Sequence, residues 1–163
     1  MFEIRPVNMD IELPALLKVI QDSFMTVAQE FNITKENAPT NGAFMTMELL
    51  MQSIEHNTGY FCAFDNDLLC GCAAVQSGKV ENTFYIEKLA VLPSHRHKGY
   101  GKKLLDRAVD EIKKRNGRCI SIGIINENSI LKNWYISYGF IEKDIKKFNH
   151  LPFTVCFLEF TLP

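Results

Sequence analysis

Residues 85–105 read YIEKLAVLPSHRHKGYGKKLL and run from a strand, through a glycine turn, directly into an amphipathic helix. Aliphatic and aromatic residues dominate up to Pro93, and after Gly99 apolar residues recur every three to four positions between charged ones. A strand followed by a crossover helix requires that a later strand return beside it in parallel. The segment therefore predicts a sheet flanked by helices that contains one parallel connection.

Period-two runs, helical periods and turn residues divide the whole chain into elements of ordinary length. Seven strands are predicted, over residues 2–7, 59–64, 68–76, 83–92, 119–125, 140–147 and 153–162. Four helices are predicted, over residues 11–31, 43–56, 99–116 and 129–138, with Asp10 capping the first and Asn116-Gly117 ending the third. This order gives an α/β (α+β) fold with a mixed, mostly antiparallel seven-stranded sheet and about four helices, in one domain over residues 1–163.

Composition narrows the function classes. The chain has 163 residues, 47% of them apolar, and a formal net charge of -1, so nothing global attracts it to nucleic acid or to an anionic membrane. Residues 1–7 lack the apolar run of a signal peptide, and nowhere do eighteen apolar residues follow one another. We expect a cytoplasmic protein with no nucleic-acid and no membrane partner.

The cysteines and histidines do not form a metal site in the sequence pattern. The five cysteines show no CxxC spacing, and Cys70 and Cys72 lie on one face of a predicted strand without a second ligand pair. Buried thiols are favoured over a metal or redox site. The four histidines lack a spacing such as HExxH, so we expect no metal.

Residues 96–102, RHKGYGK, predict a site for a diphosphate. Gly99 and Gly101 permit positive φ and close approach of a ligand, and backbone N–H groups converge there with the N-terminus of the following helix. Positive charge comes from Arg96, Lys98, Lys102 and Lys103. Neither GxxxxGK[ST] nor GxGxxG is present, which disfavours nucleotide hydrolysis and dinucleotide binding. The alternative is a glycine-capped loop with a solvated basic face.

Two motifs in this order resemble the GNAT N-acetyltransferase superfamily. The first is RxxGxG, formed by Arg96, Gly99 and Gly101 after the strand residues LAV and Pro93. The second is similar to NxxAxxxYxxxGF, with Asn128, Leu131 in place of the small residue, Tyr135 and Gly139-Phe140. The resemblance implies acetyl-CoA as acyl donor and a bulge that splays the fourth strand from the fifth, which opens a cleft for pantetheine.

The same resemblance assigns the cofactor-binding residues. It implies that the backbones of Leu89, Ala90 and Val91 pair with the pantetheine amides, and that Asn128 and Asn133 lie beside the pantetheine or the thioester. It implies that the backbone amides of the turn hold the pyrophosphate; these belong to Arg96, His97, Lys98, Gly99, Tyr100, Gly101 and Lys102. Many relatives pair through sheet edges, which favours a homodimer.

The chemistry needs a base and an acid, since an amine attacks a thioester only when neutral and the departing thiolate takes up a proton. Glu87, in the apolar frame FYIEKLAV, is the candidate base, and desolvation there should raise its pKa. The alternative is an outward, solvated carboxylate paired with Lys88 or another cation. Tyr135 holds the position of the family's acid, and the alternative is a core tyrosine on the apolar face of its helix.

Residues that flank the family's cleft are candidates to contact the amine. They are Phe24, Thr26, Phe31, Asn37 and His150. Against this, Phe24, Val27 and Phe31 also have the spacing of a buried helical stripe. The mixed polar loop ITKENAPTN suits a small polar amine or an amino acid. The alternatives to such a transferase are a protein or peptide N-acetyltransferase, a non-catalytic acyl-CoA-binding regulatory domain, and a nucleic-acid patch at HRHKGYGKK.

Overall fold

A seven-stranded mixed sheet forms the centre of the structure, a computed structural model that describes residues 1–163. Its strands are β1 (Phe2–Pro6), β2 (Gly59–Asp65), β3 (Leu68–Ser77), β4 (Thr83–Val91), β5 (Cys119–Ile125), β6 (Ile141–Lys147) and β7 (Thr154–Thr161). The strand order is β1-β2-β3-β4-β5-β7-β6, and only β4 and β5 pair in parallel. The predicted fold class, with its single parallel connection, is confirmed.

Four α-helices flank this sheet. They are α1 (Leu13–Glu30), α2 (Met47–Glu55), α3 (Tyr100–Lys114) and α4 (Ser129–Tyr138). The prediction that residue 43 begins the second helix is wrong, because residues Gly42–Phe44 form a 3₁₀ turn and Thr46 caps α2 by accepting from the Leu49 N–H. Asp10 does not cap α1 either: Glu12 holds that position without a side-chain cap, since its carboxylate accepts from Arg5 and from the Asn8 N–H.

Each face of the sheet carries its own hydrophobic core. On one face α3 packs Leu104, Leu105 and Ile112 against strand residues that include Phe84 and Ile86 of β4. On the other face α1 packs its apolar stripe against the opposite side of the same strands; Leu16, Ile20, Cys62, Cys72 and Ala90 belong to this core. Alternate β4 side chains therefore enter different cores.

A third, smaller cluster joins the α1–α2 loop to the far half of the sheet. It is built on Ala28, Ile33, Ala38 and Ala43. Ile125 at the end of β5 packs against it, and so do Leu151 and Phe153 from the β6–β7 loop. The α1–α2 loop thus reaches from α1 across to β5 and β7.

The cysteines are unpaired thiols, and all except the half-buried Cys119 are buried. Burial raises the pKa of Cys62 to about 12. Burial likewise raises the pKa of Cys119, and so does the negative charge of Glu159, whose carboxylate accepts from the thiol at 3.7 Å; both disfavour a reactive thiolate. The cysteines therefore serve packing, as the sequence predicts.

Gly117 closes the turn between α3 and β5, although not as a left-handed residue. That conformation belongs to Asn116, with φ of 60°. The constraint at Gly117 is space, because a Cβ there would lie 2.9 Å from both the Ile112 carbonyl oxygen and the Phe84 ring. The predicted C-cap is therefore correct in place, but its left-handed residue is Asn116 and not Gly117.

Gly117→Ala is expected to lower the free energy of unfolding by about 2 kcal/mol, because the methyl group overpacks the core beneath α3. Urea denaturation followed by circular dichroism measures the change. The matched control is Gly59→Ala, since Gly59 is exposed and a Cβ there would meet nothing within 4 Å. Equal stability of the two variants would contradict the packing argument.

Candidate active site

The parallel pair β4–β5 is joined over only part of its length. Pairing runs from Thr83↔Cys119 to Tyr85↔Ser121 and then stops, although both strands continue. On the other side β4 stays paired with β3 as far as Val91. A gap therefore opens between the C-terminal halves of β4 and β5, as the resemblance implies.

A β-bulge marks the point where β4 leaves β5. Cys72 pairs with Ala90 and Ala74 pairs with Glu87, so Lys88 and Leu89 together oppose one residue of β3. Lys88 adopts φ of 51°, in the left-handed region that non-glycine residues seldom occupy. Such strain concentrates at functional sites.

The backbone of β4 beyond the bulge points in two directions. Leu92 N–H donates to the Cys70 carbonyl at 2.8 Å, and backbone groups of an antiparallel strand alternate between its two sides. The N–H and C=O groups of Ala90 therefore point to β3, while those of Val91 point into the gap. Ala90 thus departs from the predicted pairing with pantetheine.

The turn before α3 presents a row of backbone donors. None of the N–H groups from His97 to Lys102 donates to another protein atom, and the first helical bond is Lys103 N–H to the Gly99 carbonyl. Gly99, the N-cap, has φ of 81°, and His97 has φ of 64°. Gly101 has no positive φ, and a Cβ there would only make an ordinary contact with the Trp134 ring at 3.7 Å, so neither space nor conformation requires a glycine. This concave row suits an anion.

The cationic side chains of the turn are mostly held by the protein, contrary to the prediction that they reach a ligand. The Arg96 guanidinium donates to the carbonyls of Val91 (3.1 Å) and Ser23 (2.9 Å) and to Thr26 Oγ1 (3.1 Å). Burial lowers the pKa of Arg96. Arg96 therefore fastens the turn to α1, and its charge is not aimed outward.

Lys98, Lys102 and Tyr100 have polar partners of their own, whereas the Lys103 ammonium lies 4.8 Å from the centroid of the Phe2 ring. Lys98 lies 3.7 Å from Asp65, and Lys102 lies 2.9 Å from Asp106. Tyr100 donates to Asp65 at 2.8 Å, a hydrogen bond that lowers the pKa of the Asp65 carboxyl, and its ring stacks on Phe2. The hairpin between β2 and β3 thus positions the turn, and the free groups of the turn are its backbone N–H donors.

On α4 the predicted residues divide into a cap, a surface residue and a buried residue. Asn128 accepts from the Leu131 N–H and caps the helix, whereas Asn133 is exposed. Tyr135 is only 5% exposed, its hydroxyl bonds to no protein group, and its ring meets Trp134 and Phe140 edge-on. Burial raises the pKa of Tyr135, so the phenol keeps its proton.

Glu87 and Lys88 lie together on the α1 face of β4. Phe84, Ile86, Leu89 and Val91 all contact the core beneath α3, which leaves Glu87 on the other face. Lys88 reaches the same face, since its Nζ lies 5.6 Å from the centroid of the Phe24 ring on α1. Glu87 is exposed and forms no ion pair, so the desolvation predicted for it is not found, nor is pairing with Lys88.

The predicted acceptor residues behave differently from one another. Phe24 and Phe31 are half-buried and pack against the third cluster, which agrees with the alternative of a buried stripe. Thr26 accepts from Arg96, and the Asn37 amide shapes its own loop through Thr34 and Asn32. His150 is exposed, with its ring 6.2 Å from that of Phe148.

Sequence reasoning missed two residues at this site. Lys88 was treated only as a counter-ion for Glu87, and nothing in the pattern marked its left-handed backbone. Ser23 is buried at 3% exposure with an unpartnered hydroxyl, beside the carbonyl that binds Arg96. Its position on the buried stripe of α1 was the one available signal.

The structure contains neither a cluster of metal ligands nor a helix able to span a membrane. No group of three or more His, Cys, Asp or Glu side chains could hold a metal ion. No helix has both the length and the apolar character needed to cross a membrane.

Comparison with known proteins adds a family and a fold. Residues 22–140 match the model of the acetyltransferase (GNAT) family. No curated protein sequence gives a significant match. Among solved structures, PaiA N-acetyltransferase from Thermoplasma acidophilum, in complex with coenzyme A, has a TM-score of 0.82 at 20% identity and covers 99% of each chain.

Two further structures give the same picture. Ribosomal-protein-S18-alanine N-acetyltransferase from Escherichia coli has a TM-score of 0.78 at 19% identity, over 99% of this chain and 94% of that one. A GNAT family acetyltransferase from Elizabethkingia anophelis with acetyl-CoA bound has a TM-score of 0.74 at 18% identity, over 99% and 98%. At such identities the likeness concerns the fold alone.

Proposed function

The chain belongs to the acetyltransferase (GNAT) family, and on that basis we propose that it transfers an acetyl group from acetyl-CoA to a primary amine of a small, amino acid-like acceptor. The observation that carries the proposal is the row of unpartnered N–H groups from His97 to Lys102, placed at the mouth of the gap between β4 and β5. The similar structures from T. acidophilum and E. anophelis hold coenzyme A and acetyl-CoA, which supports this donor.

The residues present fit coenzyme A. Backbone donors at a helix N-terminus suit the diphosphate, and the outward N–H of Val91 suits a carbonyl of pantetheine, since the Val91 carbonyl already accepts from Arg96. Acetyl-CoA supplies an activated thioester, so no acyl-enzyme on a cysteine is needed. The raised pKa of Cys119 agrees with direct transfer.

Glu87 and Tyr135 are proposed to handle the protons. Glu87 stands beside the bulge on the α1 face, exposed and without an ion-pair partner, where it accepts a proton from the acceptor ammonium directly or through water. Tyr135 keeps its phenolic proton and donates it to the departing sulfur. A backbone N–H at the bulge, from Leu89 or Ala90, can donate to the oxyanion that develops on the thioester; since Ala90 faces β3, Leu89 is the better candidate of the two.

The test is amine-dependent release of free thiol from acetyl-CoA by the purified protein. The panel contains amino acids, polyamines, aminoglycosides and a peptide with an N-terminal alanine, and calorimetry measures CoA binding on the same samples. Release with a small amine supports the proposal, and release with the peptide alone favours the protein N-acetyltransferase. CoA binding without turnover of any amine favours the regulatory domain, and absence of CoA binding overturns the transferase altogether.

A further inference from the structure

Lys88 is a cation without a counter-ion in a half-buried position. Only two lysines of the chain are not exposed, Lys88 and Lys132. Lys132 has a carboxylate partner, Glu142, at 3.7 Å, and an amide partner in Asn126. Lys88 has no carboxylate within ion-pair distance, although Glu87 is its neighbour in sequence. The Lys88 ammonium is therefore free to bind an anion.

The surroundings make that unpaired charge costly. The Lys88 ammonium lies over the Phe24 ring, and burial lowers the pKa of Lys88. A charged group taken out of water is normally compensated by an opposite charge. Because the effective dielectric constant is low there, an anion bound beside Lys88 is stabilised more strongly by its charge than an anion beside a surface lysine would be.

The bulge gives this charge a functional position. It places Glu87 and Lys88 next to each other on the face that carries α1, where β4 separates from β5. Phe24, whose ring contacts Lys88, also packs closely against Gly42 in the α1–α2 loop. A Cβ on Gly42 would lie 2.7 Å from the Phe24 ring. Strand β4 therefore presents the Glu87 carboxylate, which can take up a proton, next to the Lys88 ammonium, which can bind an anion. Both lie on the face toward α1, where the amine substrate is expected.

We infer that the acceptor carries a carboxylate near its amine, and that Lys88 binds this carboxylate while Glu87 faces the amine. The inference rests on the proposed function and narrows its substrate class to amino acids. It separates them from polyamines and aminoglycosides, whose charges are all positive and which Lys88 would repel. Lys88 is a specificity residue here and takes no part in proton transfer.

The first experiment compares each amino acid with its C-terminal amide as acceptor. At a given pH the amide's amine is the more often neutral, so chemistry alone favours the amide. With the wild-type protein, kcat/KM for the free acid should nevertheless exceed that for the amide at least about tenfold, the size expected of a charge-assisted hydrogen bond. Lys88→Met should abolish this ratio, and Lys88→Arg should retain most of it.

The second experiment reads binding without turnover. Calorimetry on the CoA-loaded protein compares the N-acetyl amino acid with its N-acetyl amide, using the amino acid that reacts best. The wild type should bind the acid about tenfold more tightly, and Lys88→Met should bind both equally. Lys113→Met, an exposed residue on α3, is the control for loss of one positive charge and should behave as the wild type.

Folding of the variant can be checked independently. Because Lys88 is unpaired in the structure, Lys88→Met should be at least as stable as the wild type on thermal unfolding. Equal use of acids and amides by the wild type, or an unchanged preference in Lys88→Met, would overturn the inference and leave the transferase standing. If the wild type does not bind CoA or turns over no amine, the proposed function itself fails, which is a different result.

Discussion

Replacing Tyr135 by phenylalanine is expected to lower kcat for thiol release about 100-fold, with CoA affinity unchanged within about twofold. The substitution removes one oxygen atom from a side chain that is 5% exposed. That hydroxyl bonds to no protein group, and the ring contacts with Trp134 and Phe140 survive the change. An effect on kcat alone would therefore report proton donation.

Burial does not disqualify this phenol as an acid. It raises the pKa of Tyr135 because the phenolate would be poorly solvated. A thiolate formed beside this buried phenol would be poorly solvated too, so the transfer would move one negative charge between two similar environments. The raised pKa keeps the proton in place until the sulfur departs, and Tyr135 remains protonated throughout the neutral pH range.

Tyr138→Phe, on the same helix, is the matched control. The Tyr138 hydroxyl donates to Asp106 at 2.7 Å, so its removal should cost about 1 kcal/mol of stability while leaving kcat unaffected. The two variants are thus expected to show opposite signatures, one in turnover and one in stability. If kcat falls by less than about fivefold in Tyr135→Phe, Tyr135 is a core tyrosine and not the proton donor.

Elements with a strong local pattern were predicted well from the sequence. The nearly continuous apolar runs of β2 and β3 and the apolar face of α3 each identify their element without help from the rest of the chain. The polar turn between β2 and β3 was also predicted, and Asn66 and Asp67 both adopt positive φ there. These features depend on neighbouring residues only.

Features that depend on distant residues could not be predicted in the same way. Arg96 was assigned to a ligand because it stands beside two glycines, yet it binds the Ser23 carbonyl, 73 positions away in sequence. Lys88 takes a left-handed conformation because β3 and β4 pair out of register, and no glycine marks the place. The row of free N–H groups was anticipated, since it follows from the glycine turn and the helix start alone.

Those N–H groups lead to the second large effect. Gly99→Asp should weaken CoA binding about 100-fold, because a carboxylate beside the turn repels the diphosphate. At an effective dielectric constant of 20, two unit charges about 6 Å apart repel by about 3 kcal/mol, which is roughly 100-fold in affinity. Calorimetric titration with CoA measures the loss.

Gly99→Asp is not expected to unfold the protein. Aspartate tolerates the left-handed conformation of Gly99 better than most residues, and a Cβ there meets nothing within 4 Å. Residue 99 also directly precedes α3, where a negative charge complements the helix dipole. A side chain at φ of 81° is strained, so thermal stability should fall by about 1 kcal/mol while the protein stays folded and CoA binding is lost.

Gly99→Asn separates charge from shape, since its side chain has the size of aspartate and the same backbone tolerance but no charge. If the turn binds the diphosphate, the asparagine variant should keep CoA affinity within about tenfold of the wild type, and only the aspartate variant should lose it. Pantetheine, which lacks the phosphates, should bind both variants alike. If both variants lose CoA affinity equally, the turn excludes a larger side chain at Gly99 and not negative charge. If pantetheine affinity falls as well, the substitution has disturbed the gap between β4 and β5.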